Sequence, residues 1–170
     1  PMGFVKNEIM VYKDEKKKFK STPKFAPAGQ SSQLIVGATK ETDFQIIKVA
    51  DHFYNNFNLK RVYYSGYVPV SNDSRLPALG TEVPMVRENR LYQADWLMRF
   101  YGFKADEIVN QNQPFLDLEV DPKLGWALRN IHQFPVNIQY DSLEMILRVP
   151  GIGVKSAYKI VQGRRFQQLT

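Results

Sequence analysis

The run Leu147-Arg148-Val149-Pro150-Gly151-Ile152-Gly153-Val154-Lys155-Ser156-Ala157 holds the residues of this chain best suited to binding an anion. Glycines 151 and 153 can take φ > 0 at no steric cost and leave no side chain between backbone and ligand. Consecutive N–H groups can then point outward together as a nest for a phosphate oxygen. A helix starting at about Val154 adds the positive end of its dipole, and Lys155 adds a full charge. The candidate donors are Gly151, Ile152, Gly153, Val154 and Lys155, with Arg148, Lys159, Arg164 and Arg165 as flanking charge. Contacts of this kind hold a nucleic-acid backbone and carry no sequence information.

Two helices must position that turn. Asp141 has the place of a cap for the first, with Glu144 three residues on in capping-box spacing, and Leu143, Ile146 and Leu147 form its apolar stripe. Pro150 ends this helix, because the residue before a proline is pushed out of the α region. Val154, Ala157, Ile160 and Val161 recur at helical spacing and are expected to pack the second helix on the first. Residues 141–164 are thus predicted to form a helix-hairpin-helix. The alternative use of such a turn is contact with another protein.

An echo lies upstream. Leu97-Met98-Arg99-Phe100-Tyr101-Gly102-Phe103 parallels Ile146-Leu147-Arg148-Val149-Pro150-Gly151-Ile152, without the second glycine and the lysine. The two predict a pair of helical hairpins, the first structural or a weaker backbone contact, joined by a helix from the Asp121-Pro122 cap to about His132. Before them, Leu91, Ala94, Leu97, Met98 and Tyr101 make a stripe ending at Gly102, and residues 105–109 begin a further helix.

The N-terminal half has another texture. Residues 8–12 and 17–21 are expected to be two strands around a Lys13-Asp14-Glu15-Lys16 turn. Residues 33–37 are a short apolar run, as for a buried strand. Thr42 and Gln45 have capping-box spacing at the head of a helix bearing Phe44, Ile47, Ala50, Tyr54 and Phe57. Residues 59–68 return as a strand. Strand, helix, strand at this spacing is a βαβ unit, which calls for a parallel sheet. The Pro- and Gly-punctuated stretch 71–84 marks the boundary to the helical part.

The 170 residues suit one domain or two small ones. A hydrophobic fraction of 44% fits a folded protein, while no 18-residue apolar run is present to span a membrane and no signal peptide is visible. The expected location is cytoplasmic. Zero cysteines exclude disulfides, thiol catalysis and cysteine-held metal clusters. The net charge of +6 sits at the ends: +4 over residues 1–25, +3 over 141–170 and −1 between. A polyanionic partner fits this distribution.

Other candidates are better explained by structure. Asp117, Glu119 and Asp121 alternate at a spacing open to a cation, but Asp121 has the place of a helix cap and the others a solvated approach to it. His52 and His132 have no evident partner, so neither a triad nor a metal site is expected. Tyr63, Tyr64 and Tyr67 suit a sheet as well as base stacking. Lys16-Lys17-Lys18 could touch phosphates without reading sequence.

Phe25-Ala26-Pro27-Ala28-Gly29-Gln30-Ser31, Leu34-Ile35-Val36-Gly37-Ala38-Thr39, Arg61-Val62-Tyr63-Tyr64-Ser65, Arg90-Leu91-Tyr92-Gln93-Ala94-Asp95-Trp96 and the final hairpin together resemble the C-terminal part of bacterial radical S-adenosylmethionine proteins assigned to DNA modification or repair. The resemblance implies the end of a partial barrel followed by a helix-hairpin-helix module. Gly37 to Asp43 would be a late strand-to-helix turn of that barrel, and Gln30, Gln33, Thr39 and Glu41 would line its cofactor pocket. S-adenosylmethionine and a [4Fe–4S] cluster are implied only for a full-length relative, because the cluster needs thiolate ligands that this chain lacks.

The expected fold is α/β followed by all-α: residues 1–84 carry a small, partly parallel sheet, and residues 85–170 a helical domain with paired hairpins. The expected function is sequence-nonspecific DNA binding through backbone contacts, with no chemistry of its own. The alternatives are a protein-interaction module, or half of a split enzyme that works with a cysteine-bearing N-terminal radical S-adenosylmethionine domain or subunit.

Overall fold

A computed structural model describes residues 1–168 of the chain. The elements run α1 (Met2–Lys18), β1 (Ser31–Val36), α2 (Asp43–Phe57), β2 (Arg61–Gly66), α3 (Met85–Tyr101), α4 (Ala105–Ile108), α5 (Pro122–Arg129), a 3₁₀ turn (Ile131–Gln133), α6 (Leu143–Arg148) and α7 (Val154–Gly163). The layout is α/β and then all-α. Two compact units form, one from residues 1–41 with 48–84, the other from 42–47 with 85–170.

In the first unit β1 and β2 pair in parallel, in register from Ser31 with Arg61 to Val36 with Gly66. Alternation puts Val36, Val62 and Tyr64 on the buried side, and leaves Ile35 and Tyr63 49% and 44% exposed on the other. Tyr54 of α2 accepts the Val62 N–H through its hydroxyl at 2.9 Å, tying helix to strand.

The N-terminal hairpin expected from residues 8–12 and 17–21 is not formed; the segment is helix α1. Its side chains explain this. Lysine, glutamate and methionine lose little rotamer freedom in a helix, and Lys13-Asp14-Glu15-Lys16 lacks the Gly or Asn that a tight hairpin turn needs. Lys16, Lys17 and Lys18 fall in the last turn, where cations complement the helix dipole.

In the second unit, Thr42 and Gln45 form the reciprocal cap: the Thr42 N–H donates to Gln45 Oε1 at 2.9 Å and the Gln45 N–H to Thr42 Oγ1 at 3.3 Å. Asp43, fully buried, explains why these residues belong with the helical unit. Its Oδ1 accepts from Arg87 Nε at 2.7 Å and its Oδ2 from the Leu116 N–H at 2.8 Å. A buried carboxylate is tolerated when both oxygens are satisfied in this way. Leu91, Ala94, Leu97, Phe103, Ile108, Trp126 and Ala127 build the core around α3 to α5. Asp121 caps α5, accepting from the N–H groups of Lys123 and Leu124 at 3.0 and 3.1 Å, with Pro122 at the first helical position. This helix ends at Arg129 and passes into the 3₁₀ turn, short of the run to His132 expected as one helix.

Candidate nucleic-acid interface

The α6–α7 hairpin is held by its own core. Ile146 and Ala157 are fully buried and Leu147 nearly so, with Tyr101, Leu143, Ile152, Val154, Ile160 and Val161 packed around them. The cap of α6 differs from expectation. Ser142 takes the position, accepting the Met145 N–H at 3.2 Å, while Asp141 accepts the Asn137 N–H and stiffens the preceding turn. A serine hydroxyl caps as well as a carboxylate, so either residue satisfied the pattern.

Val149 ends α6 with φ −68° and ψ 122°, as a residue before proline must. Gly151 then takes φ +84°, and nothing lies within 4 Å of where its Cβ would be, so the turn is bare on its outer side. Gly153 corrects the expectation of two left-handed glycines. It has φ −84° and ψ 164°, extended backbone, and is the N-cap of α7. The first bond of that helix runs from the Ala157 N–H to Gly153 O at 2.9 Å, so the N–H groups of Val154, Lys155 and Ser156 precede the hydrogen-bond ladder. A glycine cap offers them no side-chain acceptor. The N–H of Ile152 is not available in the same way, because it donates to Val149 O at 3.2 Å and closes the turn.

Lys155 and Lys159 are exposed one turn apart on α7, and Arg165 is exposed beyond it. Two predicted flanking charges are used otherwise. Arg164 donates to Ile138 O at 3.0 Å and Asp141 O at 2.6 Å, anchoring the end of α7 to the loop before α6. Arg148 is only 3% exposed. Its Nη2 bonds Glu107 at 2.7 Å and Glu144 at 3.1 Å, and its guanidinium lies 4.7 Å from the Phe103 ring centroid and 5.3 Å from that of Trp126. It is a fastener between the two hairpins. Sequence reasoning placed it outside because a basic residue beside a phosphate turn is usually solvated; only the partners brought by Glu107, Phe103 and Trp126 make burial affordable.

The first hairpin repeats the turn but not the site. Gly102 has φ +72°, and the Phe103 N–H reaches back to Leu97 O at 3.3 Å. The single-turn α4 then opens with Asp106 and Glu107, where α7 has Lys155 and Ser156. Glu107 Oε2 accepts the Lys104 N–H at 2.7 Å. Carboxylates at this end fill the place that an anion would take.

Lys123 was not singled out by the sequence. It is 9% exposed, its Nζ donates to Ile152 O at 2.6 Å and lies 4.7 Å from the Tyr101 ring centroid, so α5 fixes the carbonyl just before the cap of α7. Burial lowers its pKa to about 8, with Asp121 pulling the other way. A lysine two residues after a cap has no signal that marks it as buried.

In the first unit, two of the four cofactor candidates, Thr39 and Glu41, bond to each other, and Gln30 bonds to backbone carbonyls elsewhere. The Gln30 amide donates to Phe57 O at 2.6 Å and Met2 O at 3.4 Å, Gln33 is exposed on β1, and Glu41 accepts both the Gly37 N–H at 3.1 Å and the Thr39 hydroxyl. Asp117 closes a turn, accepting from the N–H groups of Glu119 and Val120 at 2.7 and 2.9 Å; these bonds hold its pKa below the ordinary value. Among the described residues no helix is long and apolar enough to cross a membrane.

A curated relative, the Holliday junction branch migration complex subunit RuvA of Symbiobacterium thermophilum, is 33% identical to this chain over 109 residues, which cover 59% of the chain and 50% of the relative. The chain thus spans about half the length of the curated relative that it matches. No family model matches, and no solved structure matches. None of these comparisons connects the chain with the radical S-adenosylmethionine proteins that its motifs resemble.

Proposed function

We propose that this chain binds DNA through the α6–α7 hairpin, holding the backbone without reading sequence. One observation carries the proposal: Gly151 in the left-handed region and Gly153 as a bare N-cap leave the first-turn N–H groups of α7 uncovered beside exposed Lys155. Similarity to a subunit of a Holliday junction branch migration complex supports it. The donors are Gly153, Val154, Lys155 and Ser156, with Lys159 and Arg165 as flanking charge. Gly153→Asp tests the site cleanly. The extended backbone at 153 suits aspartate, a favoured N-cap residue, and the nearest atom to its Cβ is the Tyr101 hydroxyl at 3.9 Å. The variant should melt no lower than the wild type and lose DNA affinity tenfold or more, as measured by fluorescence anisotropy. Equal binding by wild type and variant would overturn the proposal.

A second reading makes the first unit the end of a radical S-adenosylmethionine barrel. The observation that favours it is a two-stranded parallel sheet with one side exposed at Ile35 and Tyr63, since parallel sheets are normally covered on both sides. Gln30, Gln33, Thr39 and Glu41 fit S-adenosylmethionine poorly as a set, because Gln30 and Glu41 are bonded to groups of their own unit, so the reading leaves the cofactor to a cysteine-bearing partner. Co-expression with such a domain should yield a complex on size exclusion; separate elution would count against it.

A further inference from the structure

Trp96 and Phe100 stand one turn apart on α3, with ring centroids 4.4 Å apart and planes inclined by 46°. Trp96 is 55% exposed and Phe100 is exposed beside it. The Arg99 guanidinium lies 4.9 Å from the Phe100 ring centroid, so the Trp96 ring is the flat apolar face of the pair that is most open to solvent. Trp96 also forms a wall of a cleft of about 210 Å³, lined further by Leu97, Tyr101, Pro122 and Lys123, with Gln93 and Asp121 as its polar groups. Gln93 Oε1 accepts from Arg90 at 2.9 Å, which leaves its amide N–H groups to donate. The Asp121 carboxylate caps α5.

Two of these residues also border the hairpin loop. Lys123 Nζ bonds Ile152 O at 2.6 Å, and the Tyr101 hydroxyl lies 3.9 Å from the position of a Cβ on Gly153. The cleft and the N-terminus of α7 therefore share Tyr101 and Lys123 as a common wall. Bases within a duplex present no free face, whereas an unstacked base can lie on an aromatic ring whatever its identity.

The geometry points to this cleft as the seat of one unpaired base of the DNA whose phosphates the hairpin holds, stacked on Trp96 and hydrogen-bonded at its edge by Gln93. The inference rests on the DNA reading of the hairpin and adds a preference for DNA with unpaired nucleotides.

The test compares three labelled DNAs by fluorescence anisotropy: a plain duplex, the same duplex with a two-nucleotide bulge, and that bulge built from abasic residues. Wild type should bind the bulged duplex about tenfold tighter than the plain one, equivalent to about 1.4 kcal/mol. The abasic bulge, which keeps the phosphates and the bend but offers no base, should bind like the plain duplex. Trp96→Ala should remove the preference and leave plain-duplex binding unchanged, and Trp96→Phe should restore part of it. Equal wild-type affinity for bulged and plain duplexes, or for base-bearing and abasic bulges, overturns the cleft while leaving the hairpin reading intact. Failure to bind any of the three overturns both.

Discussion

Arg148 and Lys123 show how much the burial of a single cation decides. Arg148 pairs with Glu107 and Glu144 and stacks between Phe103 and Trp126. Arg148→Ala should destabilise the helical unit by about 3 kcal/mol in urea titration, the lower end for breaking a buried pair, because Glu107 and Glu144 keep access to water. Arg148→Lys should recover little, since an ammonium cannot lie flat between the Phe103 and Trp126 rings while also reaching the Glu144 carbonyl that Nη1 bonds at 3.3 Å. An Arg148→Ala protein with unchanged stability and weakened DNA binding would return this residue to the interface. For Lys123 the sign runs the other way. Its folded pKa of about 8 lies below the unfolded value, so between about pH 8 and 10 the unfolded chain binds more protons and raising the pH stabilises the fold. The slope approaches ~1.4 kcal/mol per pH unit at most. Lys123→Met should flatten that rise in urea titrations at pH 8, 9 and 10; an unaltered slope would mean that the ammonium is solvated.

At the scale of the element, the two hairpins share a turn and differ in what opens the following helix. Gly102 and Gly151 both sit at φ > 0 after a helix, a place where an L side chain costs about 1–2 kcal/mol. Gly151→Ala should lower stability by about that amount, and Gly151→Asn by less, since Asn tolerates the left-handed region. Differential unfolding of the two variants checks this; equal losses would show that packing, not backbone conformation, sets the cost. Both turns were legible beforehand because glycine after an apolar helix has few other uses. The N-terminal helix was not. Its lysines, at 6, 13 and 16–18, mark neither period, and no apolar residue of α1 is buried to break the tie.

At the scale of the molecule, the +6 charge divides between two basic ends, and the proposed backbone contacts lie at the C-terminal one, where α7 opens on a glycine cap beside Lys155. Neutralising about three phosphates through Lys155, Lys159 and Arg165 predicts a slope of log affinity against log salt of about −3 on duplex DNA. Replacing Lys16, Lys17 and Lys18 of α1 together by Gln should leave that slope unchanged, since Lys17 already pairs with Asp14 at 2.9 Å and these cations end a helix. A slope reduced by about three would instead make α1 part of the DNA surface.

The sequence alone was enough for features that depend on neighbours within a few residues. The Thr42–Gln45 cap, the Asp121-Pro122 start, the helix stop at Val149-Pro150 and the βαβ order are local contests between backbone conformations, and Gly, Pro and capping residues decide them. Only the tertiary structure decided which charges reach solvent. Arg148 and Arg164 face inward, and Lys123 fixes the turn, because Glu107, Trp126 and the carbonyls of Ile138, Asp141 and Ile152 come to them from distant parts of the chain. A charge is buried only when such partners meet it, and no spacing along the chain records that meeting.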